Sequence, residues 1–488
     1  MKSGGILIPF LLSLVVIPAA LAAPAAQKSE DNATDKYIVM LAEDEKRPWK
    51  EIFSDLGIKA KENKNFKASS YGRNAQISSW NSDESGHIVS SGTHIRTFTL
   101  KMKRSESTRI LSHSSIVAVD PVRPVSYDVH INTDYIPSNK TISYDPLDLE
   151  KRQQGYYNNN NQQQQLYNSN NQQQDSNSQD QTQKPTKHQK TAPWNLERIS
   201  TGRKVKQHSS VTSLDYTYTF KQGDGTGVDV YILDTGLYAQ HKDFGGRAKS
   251  LWSFARDNAL DVEGHGTHCA GTVGSNTYGV AKGANLWGVK ILGKGSDSST
   301  VIQGMEAVLA QHNKRKSDPN FRGSVISASF SNVGEYKAEF EAFKRVIAAG
   351  IHVAVSAGNE GRDACLNRPA RYSKQLPIVT VGASDIKDAL MSLKNNFKSN
   401  YGQCVTVHGP GVDIISTWKD GVDSTYSMSG TSMSAPAVAG MIAVELSRKS
   451  NLKLNPKGMR DYLLSQSLPN VVQGASGGSA MINNGFKQ

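Results

Sequence analysis

The chain has 488 residues, 37% of them hydrophobic, and its 56 Lys and Arg exceed 44 Asp and Glu for a formal net charge of +12. That length exceeds one average domain, so two or three folded units are expected, each with enough apolar residues for a core. The basic excess is scattered and lacks an interleaved aromatic-basic motif, which argues against nucleic acid as a partner and for a solvated basic surface.

Lys2 is followed by an apolar run from Ile6 to Leu21, and Ala20-Leu21-Ala22 fits a small-x-small cleavage site. Residues 1–22 therefore read as a secretory signal peptide. Pro9 and Pro18 interrupt the run, which is shorter than the ~20 residues of a spanning helix. The mature chain is expected in the secretory pathway, bound for the extracellular space or cell wall, with the vacuole as the alternative. Asn32 and Asn139 open N-glycosylation acceptors.

Residues 23–122 contain a small α+β unit. Lys36 to Leu41 and Ile95 to Leu100 alternate as strands, Ser105 to Leu111 is helical, and Ile116 to Val119 is a final strand before Asp120-Pro121. Residues 123–190 read as a linker, with a dibasic pair at Lys151-Arg152 and a Gln/Asn-rich tract from Gln153 to Gln183. So few apolar residues cannot offset the entropy of ordering, and disorder is expected.

Residues 191–488 alternate strands and helices, the signature of a parallel α/β sheet. Strands are predicted at Val228 to Leu233, Leu286 to Ile291, Ser324 to Ser329, Ile351 to Ser356 and Ile378 to Val381. Helices are predicted at His265 to Gly274, Thr300 to Lys314, Glu335 to Ala349, Thr431 to Ser447 and Pro456 to Leu464. Asp234 falls at the carboxyl end of a strand, where open α/β sheets place their ligand crevice, and Ile351 to Ser356 delivers Ala357-Gly358-Asn359 to the same edge.

Three segments carry chemistry: Ile232-Leu233-Asp234-Thr235-Gly236, Gly264-His265-Gly266-Thr267-His268 and Gly430-Thr431-Ser432-Met433. A serine hydroxyl is a weak nucleophile until an imidazole takes its proton, and a buried carboxylate holds that imidazole in the needed tautomer. Alone, Asp-Thr-Gly is a strand-ending turn and Gly-Thr-Ser a helix cap; together and in this order they indicate an acyl-transfer site.

From residue 191 onward the chain resembles the fungal subtilisin-like serine proteases, the proteinase K and cerevisin group of the subtilase family. The resemblance implies a three-layer α/β/α domain preceded by a ferredoxin-like propeptide. It implies Asp234 as orienting carboxylate, His265 as general base, Ser432 as nucleophile and Asn359 of Ala357-Gly358-Asn359-Glu360-Gly361 as the oxyanion-hole amide. The substrate would lie along Ser329, Phe330 and Ser331 and against Ser356, Ala357 and Gly358. The start Ala192-Pro193-Trp194 resembles a mature N-terminus, with cleavage near Lys190-Thr191 and Lys151-Arg152 as an earlier cut. The propeptide would act as an intramolecular inhibitor.

Of three cysteines, Cys269 follows His268 and is expected to pack as a small apolar residue; Cys365 and Cys404 are the better disulfide pair and fall where several relatives carry one. The chain departs from the family where Asn-x-Ser-Leu-Gly-Gly is replaced by Ser327-Ala328-Ser329-Phe330-Ser331-Asn332. Phe330 is expected to reshape an apolar pocket and narrow the preference for large apolar side chains. Lys294-Gly295-Ser296-Asp297-Ser298 also differs from the usual Gly-Ser-Gly-x-Tyr, and Ala437 replaces a histidine. Thr406 stands where a calcium-binding aspartate often follows Cys-Val, so calcium at this site is unsupported by the sequence, and no cofactor is expected. The leading reading is a secreted, monomeric zymogen of a serine endopeptidase acting on proteins and peptides. A second reading is a weak or inactive binding protein of the same fold, and a hydrolase of another type is disfavoured.

Overall fold

The computed structural model describes residues 34–62, 77–82, 86–127, 130–131, 186–221, 223–255 and 259–487. The signal-peptide segment, Asn32, Asn139, Lys151-Arg152 and the Gln/Asn-rich tract lie outside them.

Among the described residues the leading unit is an antiparallel sheet in the order Ala60–Glu62, Ile77–Ser82, Gly86–Ser91, Thr97–Lys103, Thr34–Leu41, Ile116–Pro121, with helices Trp49–Asp55 and Arg104–Leu111. Alternate side chains of one strand explain how it binds the rest of the molecule. Tyr37, Val39 and Leu41 join Ile52, Phe53 and Ile110 in the unit's own core. Ile38 and Met40, on the opposite face, join Ile302, Met305 and Phe343 of the larger domain. A period of two thus makes one strand the filling between two sets of helices.

The larger domain is built on a parallel sheet, ordered Ala248–Ser253, Asn285–Lys290, Val228–Asp234, Gly323–Ala328, His352–Ser356, Val379–Ser384, Val407–Pro410 among the described residues. Val228–Asp234 is buried along its length, as a strand covered on both faces must be. One core cluster contains Val230 and Ile232 with Val273, Val438 and Ile442 from the helices His265–Gly274 and Thr431–Arg448. The other contains Tyr231 and Leu233 with Val301, Met305 and Val346 from the helices Ser298–Arg315 and Lys337–Ala348. The expected α/β/α layering is present.

Two strands of this parallel sheet escaped the sequence pattern. Ala248–Ser253 is an edge strand with exposed Lys249 and Ser250, and Val407–Pro410 is four residues long with Gly409 and Pro410. A further difference lies between the domains. Thr186–Ala192 pairs with Tyr216–Lys221, so part of the expected linker is a strand, and a cut at Lys190-Thr191 would sever it.

Candidate active site

Asp234 ends its strand, and Thr235 and Gly236 turn the chain beneath the helix His265–Gly274. Gly236 has φ +123°, open to glycine and strained for other residues. A Cβ on Gly266 would lie 2.2 Å from the Gly236 carbonyl oxygen, so two glycines allow the approach that joins carboxylate to imidazole. Asp234 Oδ1 accepts from His265 Nδ1 at 2.6 Å and from the Thr235 N–H at 2.7 Å. An imidazole whose Nδ1 carries the proton to a carboxylate leaves Nε2 to take another. Burial works against a charge on His265, but Asp234 outweighs it and raises the imidazole's pKa well above its ordinary 6.5.

The histidine helix begins with donors that need acceptors. Asp261 takes two of them, Gly264 N–H on Oδ1 and Thr267 N–H on Oδ2, and the same oxygens accept from Thr235 Oγ1 and Thr267 Oγ1, all within 2.8 Å. The Thr235 hydroxyl in turn accepts from Gly266 N–H at 2.9 Å. Asp261 therefore ties the aspartate turn to the histidine helix. The sequence reading missed it, although an acidic residue just before a helix is a capping signal. The second histidine, His268, has a different role. Its Nε2 meets the Ile414 carbonyl at 2.9 Å, and burial lowers its pKa to about 3.

Ser432 is the second residue of the helix Thr431–Arg448, so its N–H has no acceptor within that helix. Pro436, four residues on, has no N–H to give to the Ser432 carbonyl. Two neighbours take that carbonyl instead: Ser329 Oγ at 3.1 Å and Cys269 Sγ at 3.4 Å. The Ser432 hydroxyl points to the Ser329 carbonyl at 3.5 Å. Cys269 is buried beside His265, with Sγ 4.0 Å from Nδ1, and burial raises its thiol pKa. Asn359 Oδ1 accepts from Thr431 N–H at 2.9 Å and Thr431 Oγ1 at 3.0 Å, which orients the amide at the cleft.

Phe330, Ser331, Ser356, Gly358, Asn359 and Ser432 line a cavity of about 140 Å³ together with Glu360. Ser329 is buried and outside that lining, while Ala357 packs in the cluster around the Cys365–Cys404 disulfide. Glu360 went unnoticed in the sequence; its Oε2 accepts from Asn367 Nδ2 at 2.9 Å and Asn400 Nδ2 at 2.5 Å. Phe330 is buried in the same cluster as Val125. Thr406 is engaged with Thr380 through backbone and hydroxyl hydrogen bonds and contributes no charge for calcium.

The leading unit continues into the cleft. Pro124 bridges antiparallel to Asp297, and Ser126 antiparallel to Ser331, so residues 123–127 run between the two edges. Arg123 exchanges two hydrogen bonds with Ser298, and the Pro124 carbonyl accepts from Asn332 Nδ2 at 2.7 Å. The Tyr127 ring lies against His265, centroids 4.5 Å apart, and its hydroxyl donates to Glu263. His130 then pairs with Ser429, three residues before Ser432. The sequence reading placed residues 123–127, 130 and 131 in a linker because they have no periodicity of their own; their pairing partners lie at the cleft. Elsewhere on the leading unit, Glu306 accepts from three successive N–H groups, Thr93 at 2.8 Å, His94 at 3.1 Å and Ile95 at 2.6 Å.

This chain matches a model of the Subtilase family over residues 225–486. It is 41% identical over 303 residues to Proteinase T of Parengyodontium album, covering 61% of this chain and 94% of that one. A cuticle-degrading protease of Metarhizium anisopliae is 41% identical over 294 residues, 60% of this chain and 69% of that one. Subtilisin-like protease 3 of Saccharomyces cerevisiae is 40% identical over 266 residues, and the match spans about half of each chain, 53% and 52%. A cold adapted subtilisin-like serine proteinase of known crystal structure superposes with a TM-score of 0.51 at 34% identity, covering 60% of this chain and 98% of the other. With that likeness, and with the Asp234 carboxylate joined to the His265 imidazole, the chain belongs to the subtilase family of serine proteases.

Proposed function

We propose that the protein is a serine endopeptidase made as a self-inhibited zymogen for the secretory pathway. In this reading Ser432 attacks a peptide carbonyl, His265 takes its proton and returns it to the leaving amine, and Asp234 stabilises the imidazolium. The Asn359 amide and the Ser432 N–H would receive the negative charge of the tetrahedral intermediate. Water then releases the acyl group from Ser432 by the same steps. No cofactor enters this chemistry, and protein or peptide chains are its substrates.

The observation that carries the zymogen reading is the course of residues 123–127 along both cleft edges, with Tyr127 covering His265. An extended chain paired with two edges is how a substrate backbone would lie. The first self-cleavage is accordingly expected between Tyr127 and His130, ahead of the strand Thr186–Ala192. Signal peptide 1–22 and the acceptors Asn32 and Asn139 support passage through the secretory pathway, and a monomer suffices for the site.

Mass mapping of the secreted chain tests this. Wild type should yield a terminus within residues 128–130, and Ser432→Ala should stay joined. A Ser432→Ala chain cut at the same place would overturn the self-processing.

A further inference from the structure

Glu263 lies one residue before Gly264, at the turn that leads into the histidine helix. Its backbone N–H is held by Asp261 Oδ1 at 3.2 Å, so the side chain projects from a fixed point. Its Oε2 accepts the Tyr127 hydroxyl, while the Tyr127 ring, tilted 30°, packs on His265. Two surfaces therefore meet one side chain: an imidazole face for the ring and a carboxylate for the hydroxyl. Burial, and then Glu263, raise the Tyr127 phenol's pKa, so the hydroxyl keeps its proton and stays a donor.

We propose that Glu263 is a specificity residue, selecting tyrosine at the subsite over His265 in substrates as it does in the chain's own segment. The proposal rests on the reading that residues 123–127 lie in the cleft as a substrate does. Phenylalanine keeps the ring's contact with His265 but cannot donate to the carboxylate. Leaving a partly buried carboxylate without its donor costs more than an ordinary neutral hydrogen bond returns. Because Glu263 stands next to the helix that carries the general base, a correctly held ring also fixes the substrate beside that base.

The test uses the processed enzyme and peptides spanning Pro121 to Ile131 between a fluorophore and a quencher, with tyrosine or phenylalanine at position 127. The ratio of kcat/KM for the two peptides is read within one preparation, so the active fraction cancels. If the frame resists cutting, the ratio of inhibition constants against a general peptide substrate replaces it. Wild type is expected to favour tyrosine about tenfold or more, as for a hydrogen bond to a charged group. Glu263→Ala should bring the ratio close to one, and Glu263→Gln, which keeps an acceptor, should lie between. A wild-type ratio near one, or a ratio unchanged in Glu263→Ala, overturns the role of Glu263. A frame that is neither cut nor competes with the general substrate overturns the docking reading as well, which separates the two failures. Should Glu263→Ala fail to fold, the wild-type ratio decides alone.

Discussion

Both hydrogen bonds to Asp261 Oδ2 come from Thr267, its N–H and its hydroxyl each at 2.7 Å, so a residue outside the histidine helix caps its first turn. The same carboxylate also holds Thr235, the neighbour of Asp234. Asp261→Ala should lower stability by about 1–3 kcal/mol, the cost of stranding buried donors, and should reduce kcat by moving His265 against Asp234. Asp261→Asn keeps one acceptor and should recover part of both. Melting temperature and kcat measured together check this; a variant with normal kcat would show that the cap does not position the base.

Asn359 is oriented by Thr431, so the two residues should act in series. Asn359→Ala is expected to reduce kcat by ~10²–10³ with little change in KM, a magnitude established in subtilisin. Thr431→Ala removes the hydroxyl that holds Oδ1 and should reduce kcat by a smaller factor. A double variant no worse than Asn359→Ala would place Thr431 behind Asn359; additive losses would separate them.

The pKa of His265 is raised because Asp234 outweighs the effect of burial. A general base must be neutral, so kcat/KM should rise with pH through a midpoint above 6.5. For stability the sign is reversed: a raised histidine pKa favours the folded state fully below the ordinary value and is lost as pH passes the raised one. Asp234→Asn should move the midpoint down and reduce kcat by roughly 10⁴. A pH–rate profile with an unshifted midpoint in that variant would refute the coupling.

Glu306 holds three successive N–H groups of the leading unit. Since hydrogen bonds to charged groups are each worth about 1.5–3 kcal/mol, Glu306→Ala should speed the appearance of activity after self-cleavage at least tenfold. A lag equal to wild type would mean that the contact does not hold the inhibitor.

The legibility of this protein follows the range of the forces involved. The placing of Asp234 at a strand end and of His265 and Ser432 at helix starts could be read because glycines mark those turns locally. Cys365 and Cys404 could be paired because Cys269 had a place in the helix behind His265. Residues 123–127 could not be read: Pro124, Val125 and Ser126 have no alternation, and their hydrogen-bonding partners lie far along the chain at Asp297 and Ser331. Glu263 is silent for the same reason, since only Tyr127 gives its carboxylate a purpose. Phe330, expected to reshape a pocket, is buried and lines the cavity that also holds Ser432 and Asn359.

The most direct test is intact mass after treatment with a serine-directed phosphonate, comparing folded wild type with Ser432→Ala. Wild type should lose its leading unit and gain a single label on Ser432, while Ser432→Ala should remain whole and unlabelled. A folded wild type that is neither processed nor labelled, or a Ser432→Ala variant that is both, would contradict the account.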